Sequence, residues 1–155
     1  MTTALKPLVI GIGNLQRGDD SAGYRIAAAL QDELAVPCRV IASHQLMPEF
    51  AEPIATASRV LFIDSTIDPA RCSRWSSPQL EPLGCLPLTK TSLSHQGTPQ
   101  DLLALAEALY SSRPPAWQLL IPSLNWEHGM ELSPLTSTAA AMAVPLVRAW
   151  GSGHA

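Results

Sequence analysis

Charge is scarce in this 155-residue chain. Charged residues make up 15% and hydrophobic ones 46%, against an average charged fraction of about 25%. The composition predicts a compact fold with few ion pairs and a rather apolar surface. Basic residues are the scarcer sign: Lys and Arg total 10, Asp and Glu 13, for a formal net charge of −3. No Lys/Arg run occurs, so the chain cannot offer the dense basic face that nucleic acid requires or that an acidic membrane surface attracts. Long apolar runs are also missing. The stretch 139–147 is well short of the roughly 20 residues needed to span a bilayer. The start of the chain lacks the basic region, apolar run and cleavage site of a signal peptide, so a cytoplasmic location is expected. The length suits one domain, 1–155, with 151–155 as a short tail. A chain of this size buries roughly 68–70% of the surface its unfolded form exposes.

Other absences narrow the chemistry. The three cysteines, Cys38, Cys72 and Cys85, include no C-x-x-C pair, which argues against a disulfide framework and a structural zinc site. No G-x-S-x-G elbow occurs, and no motif marks a base for a cysteine nucleophile. There is no Walker sequence. Gly11 and Gly13 suggest a dinucleotide loop, but the third glycine is missing because position 16 is Gln. Asp19 and Asp20 would moreover repel a pyrophosphate. No residue is therefore assigned to cofactor binding.

What remains is an alternation of elements. Leu8–Ile12 is a short apolar run read as a buried strand. A polar turn, 15–20, leads to Ser21 as a helix cap, and apolar Ile26, Leu30 and Leu34 recur every four residues in a helix predicted over 22–34. Pro37 stops it. Arg39–Ser43 reads as a strand, and Met47-Pro48-Glu49 opens a helix to about Ala57. Residues 59–63 form the clearest buried strand, with Asp64-Ser65-Thr66 after it. Residues 69–87, rich in Pro, Ser and Gly, predict an irregular excursion with a short strand near 85–88. Thr98-Pro99-Gln100-Asp101 caps a helix over Pro99–Tyr110. A strand over 117–121 follows, and Ser133-Pro134 starts a helix to about Trp150. This order predicts an α/β fold: a single three-layer domain, with a twisted, mostly parallel sheet of about five strands and helices on both faces.

In open sheets of this kind, sites gather at the carboxyl ends of the strands. That rule selects Asp19 and Asp20 after the first strand, Asp64 after the third, His95 before the third long helix, and Asn125, Glu127 and His128 after the last strand. Two carboxylates and an imidazole make an open site suited to nickel or zinc. Of the adjacent pair, one faces the site and the other caps or orients; Asp19, just before the helix, suits the role of a helix-terminus acid.

The stretch Gly11-Ile-Gly-Asn-Leu-Gln-Arg-Gly-Asp-Asp-Ser-Ala-Gly23 resembles the opening motif of the hydrogenase maturation endopeptidases. The resemblance continues at Phe62-Ile63-Asp64, Ser94-His95-Gln96 and His128-Gly129-Met130-Glu131-Leu132-Ser133-Pro134. It implies an α/β endopeptidase that removes the C-terminal extension of a NiFe-hydrogenase large-subunit precursor once nickel is inserted. The family's metal-contacting and catalytic side chains fall on Asp20, Asp64 and His95. His44-Gln45-Leu46-Met47-Pro48-Glu49 resembles a subset serving bidirectional, NAD(P)-linked hydrogenases. It implies substrate recognition by His44, Gln45 and Glu49, with His128 and Trp126 as further contacts for the client.

The resemblance further implies that nickel arrives with the substrate. No permanently bound metal is expected, though another divalent ion can substitute in a crystal. The expected partner is the large-subunit precursor, with no nucleic acid and no membrane, and the expected working unit is a monomer. Water activation by the metal or by a carboxylate base are both open. The rival readings are a non-catalytic chaperone for the same subunit and a nucleotide-binding α/β module.

Overall fold

The buried run Leu8–Ile12 forms β1. It lies parallel to β2, Arg39–Ser43, on one side and to β3, Val60–Thr66, on the other. The computed structural model describes residues 5–34, 38–67, 77–84, 98–124, 126 and 129–153. Among these, Gln79–Pro82 forms β4 and Ala116–Pro122 forms β5. β5 runs parallel to β3, and β4 runs antiparallel to β5 at the sheet's edge. The strand order is β2-β1-β3-β5-β4.

Alternation along each strand builds two separate cores. Leu8, Ile10, Ile12 and Phe62 face α2 (Ala51–Ala55) and α3 (Pro99–Tyr110), where Ile54, Leu102, Leu103 and Ala106 close the layer. Val9, Leu61, Ile63, Leu119 and Ile121 face α1 (Ala22–Leu30) and α4 (Pro134–Gly151), against Ile26, Leu30, Ala139, Val147 and Trp150. Each fully buried Leu or Ile is worth about 1.5–3 kcal/mol relative to exposure. The result is the expected three-layer α/β arrangement.

The helix starts are specified locally. The Thr98 hydroxyl accepts from the Asp101 N–H at 3.1 Å, and the Asp101 carboxylate accepts from the Thr98 N–H at 3.4 Å. This capping box, with Pro99 at the first helical position, satisfies donors the helix leaves unpaired. Ser133 caps α4 likewise, accepting from the Thr136 N–H.

Several boundaries differ from the pattern in the sequence. α1 ends at Leu30, but a turn keeps Leu34 buried, its N–H donating to the Leu30 carbonyl at 2.9 Å. The second helix begins as a 3-10 turn, Pro48–Phe50, and ends at Ala55 rather than Ala57. Asp64, Ser65 and Thr66 continue β3, because each pairs with a residue of Leu120, Ile121 and Pro122 in β5. The edge strand lies at Gln79–Pro82, inside the expected irregular stretch; residues 85–88 lie outside the described ones. α4 runs through Pro145, which leaves the Ala141 carbonyl without its helical donor at an exposed position.

The topology fixes where a site belongs. From β1 the chain crosses through α1 to β2, then returns through α2 to β3 on β1's other side. The strand order reverses between β1 and β3, and above the carboxyl ends of two such strands open sheets of this kind place their crevice. No helix among the described residues is long and apolar enough to cross a membrane.

Candidate active site

Close backbone packing brings the first carboxylates to that crevice. A Cβ at Gly13 would collide with the Asp20 carbonyl oxygen, and one at Gly23 with the carbonyl oxygens of Ile12 and Ile63. The glycines let the start of α1 press against the ends of β1 and β3. Between them, Gly18–Ser21 forms a 3-10 turn holding Asp19 and Asp20. The Gly-x-Gly pair is thus a packing device for an acidic turn, rather than a phosphate cradle.

Asp20 and Asp64 meet across this edge through Ser65. The Ser65 hydroxyl donates to Asp20 Oδ1 at 3.4 Å, while the Ser65 N–H donates to Asp64 Oδ1 at 2.8 Å. Burial pushes the Asp64 carboxyl up to about 7; the Ser65 N–H opposes this and the neighbouring charge of Asp20 adds to it. Burial also raises Asp20, against the Ser65 hydroxyl, the Arg17 guanidinium and the Asn14 N–H. Two carboxyls that are difficult to ionise together, one titrating near neutrality, provide proton-transfer capacity and oxygen donors for a cation.

Asp19 points elsewhere. It is 1% exposed. Its Oδ1 accepts from the Ser133 N–H at 2.6 Å, and its Oδ2 accepts from the Leu124 N–H at 2.8 Å and the Ser133 hydroxyl at 2.7 Å. Asp19 stands in the first turn of the 3-10 segment that leads into α1, as expected of a terminus acid, and its carboxylate also reaches further, to the N-cap of α4 and the exit of β5. Arg17 Nε donates to the Trp126 carbonyl at 3.3 Å, and Arg25 donates to the Met130 carbonyl. The Gly18 N–H donates to the Gly129 carbonyl at 2.7 Å, and the Gly129 N–H to the Gln16 carbonyl at 3.0 Å. Trp126 Nε1 donates to the Ser123 hydroxyl at 2.9 Å, which donates to the Thr66 carbonyl at 2.8 Å. Leu124 and Met130 nevertheless stand 62% and 70% exposed.

The other predicted residues divide between described and undescribed positions. His44 and Gln45 are exposed just after β2, on the same sheet edge, where the His44 ring lies 6.2 Å from that of Tyr24. Gln45 donates to Met47 Sδ at 3.7 Å. Glu49 is exposed in the 3-10 turn. His95, Asn125, Glu127 and His128 lie outside the described residues, as do Cys72 and Cys85. Among the described residues, no three of His, Cys, Asp and Glu come together as a metal site. Ser65, Arg17 and Arg25 were not selected from the sequence; for Ser65, adjacency to Asp64 was the available signal.

The fold recurs in solved structures. Over 95% of this chain and 99% of the other, it matches the NiFe hydrogenase maturation protease HybD from Thermococcus kodakarensis, with TM-score 0.70 and 16% identity. The hydrogenase maturating endopeptidase HybD from E. coli matches with TM-score 0.68 and 17% identity, over 96% and 94%. The NiFe hydrogenase maturation protease HycI from Thermococcus kodakarensis KOD1 matches with TM-score 0.69 and 19% identity, over 96% and 92%. No protein-family model matches the sequence, and no curated protein matches it. The similarity lies in the fold over almost the full length of both chains, including the sheet edge that carries Asp20 and Asp64.

Proposed function

We propose that this protein is an endopeptidase that removes the C-terminal extension of a NiFe-hydrogenase large-subunit precursor during maturation. The observation that carries the reading is the Asp20–Asp64 pair, bridged by Ser65 at the strand-order reversal. Its support is the fold shared with structures described as hydrogenase maturation proteases.

In this reading nickel belongs to the substrate. The precursor presents its nickel near the scissile bond, and Asp20, Asp64 and His95 offer two oxygens and a nitrogen to it, a donor set suited to a borderline divalent ion. Ligation requires Asp64 in its charged form, so docking nickel expels the proton that burial favours. Hydrolysis then has two routes. Nickel polarises the scissile carbonyl or a bound water, or one carboxylate takes the proton from the attacking water. His44, Gln45, Glu49 and His128 are proposed to read the client, and the resemblance of the His44–Glu49 segment supports a client among bidirectional, NAD(P)-linked hydrogenases. The working unit is a cytoplasmic monomer that carries no metal of its own.

The test is cleavage of nickel-loaded and nickel-free precursor by the purified protein. Selective cleavage of the loaded form is expected; equal rates on both would remove nickel as the recognition element. Sedimentation of the free protein checks the monomer.

A further inference from the structure

The proposed chemistry uses Asp20 and leaves its neighbour unexplained. A fully buried carboxylate carries a desolvation cost unless its acceptors are filled. Among the donors that fill Asp19 are the Leu124 N–H, the Ser133 N–H and the Ser133 hydroxyl, all distant in sequence. Charge-assisted bonds of this kind are stronger than neutral ones. Asp19 thus fixes two points of the backbone, Leu124 at the exit of β5 and Ser133 at the N-cap of α4.

The described residues on either side of these points are tied to the surroundings of the carboxylate pair. Ser123 holds the Thr66 carbonyl, two residues from Asp64. Arg17, whose charge acts on Asp20, holds the Trp126 carbonyl. With the backbone bonded inward to residues 16–25, the side chains of Leu124 and Met130 are directed outward and stay exposed. Their exposure follows from how the backbone is held rather than from loose packing.

We infer that Asp19 is a positioning residue: it holds Leu124, Trp126 and residues 129–133 as a rigid, partly apolar wall beside Asp20 and Asp64, against which the precursor segment around the scissile bond rests. The inference rests on the peptidase reading. Asp19 touches neither substrate nor nickel; it acts through the wall, so its loss weakens substrate capture more than turnover.

The experiment compares Asp19→Asn with the unaltered protein, using nickel-loaded precursor as probe. An amide at position 19 turns a donor toward N–H groups that need acceptors. KM for cleavage is expected to rise about tenfold with kcat nearly unchanged, and Kd for the precursor to weaken equally. Hydrogen exchange should accelerate at least tenfold at whichever of the Leu124 and Ser133 amides faces the new NH2 group, since Asn keeps only one of the two accepting oxygens. Met130→Ala should weaken capture alone but add little in the Asp19→Asn background, because both act through one wall. A purely structural role would lower thermal stability and kcat together with KM unchanged. That result, full additivity with Met130→Ala, or unchanged amide exchange would each overturn the inference. If Asp19→Asn fails to fold, Ser133→Ala removes one of the bonds and must shift KM in the same direction. An unaltered protein that binds precursor without cleaving it would overturn the peptidase reading, while Kd and exchange still judge the wall.

Discussion

The two ends of the sheet are built on opposite principles. At the amino ends of the strands, Arg59 lies over the Trp150 ring at 4.5 Å and donates to the Trp150 carbonyl. Trp117 meets Trp150 edge-on at 6.1 Å, and buried Cys38 donates to the Gly151 carbonyl at 3.3 Å. There the charged group is spread over an aromatic face and the apolar area is large, a combination that favours the folded state. At the carboxyl ends two acids are packed together and one is pushed up to about 7 by burial. That edge opposes folding and is tolerated because the remainder of the sheet supports it. Stability and chemistry are thus concentrated at opposite poles of the same strands.

Substitutions should separate the poles, with the largest effect on the chemistry. Asp64→Ala or Asp20→Ala is expected to lower kcat/KM for precursor cleavage by at least about a thousandfold, some 4 kcal/mol of transition-state stabilisation, while circular dichroism shows an intact fold. Trp150→Ala should do the reverse: about 3–5 kcal/mol of stability lost in denaturant melts, with cleavage retained below the new transition.

The pH dependence sharpens the contrast. Asp64 has a folded pKa near 7, above its unfolded value. Its contribution to stability is therefore complete below about pH 4 and lost as pH rises through 7. Asp64→Asn should remove that loss and raise stability at pH 8 by roughly 2–4 kcal/mol while abolishing cleavage. A variant no more stable than its parent at pH 8 would show that the burial cost is absent.

Two smaller effects complete the series. Gly23→Ala should cost about 1–3 kcal/mol and also impair cleavage, because the added methyl pushes α1 off the Ile12 and Ile63 carbonyls beneath the acidic turn. Glu33→Gln, which breaks the exposed pair with Arg148, should leave both melting temperature and turnover unchanged, as isolated surface pairs contribute little.

Much of the fold is legible because its signals are local. The runs at Leu8–Ile12 and residues 60–63 can only be buried strands, and the Thr98 and Ser133 caps mark helix starts through neighbours within three residues. β4 escaped such reading because an edge strand of Gln, Leu, Glu and Pro carries no apolar run; its partner β5 defines it. Asp64 reads as a loop acid, yet it belongs to β3 because β5 extends alongside. The carboxylates Asp20 and Asp64 were legible from the strand-end rule and the resemblance together. That one of the adjacent pair, Asp20, would face the site while Asp19 capped or oriented was legible too; the groups that Asp19 reaches were not. Two identical neighbouring residues differ only in what they reach, and the partners of Asp19 lie 105 and 114 positions away.

That separation bears on the order in which this edge of the sheet assembles. The acidic turn precedes the donors that seat it, at the exit of β5 and the entrance of α4, by 105 and 114 positions. Until the chain as far as Ser133 is present, Asp19 lacks this pair of backbone donors, and closing so long a loop comes late in folding. Asp20, Ser65 and Asp64 are all in place early in the sequence, whereas the seat of Asp19 beside them forms only once β5 and the start of α4 are present.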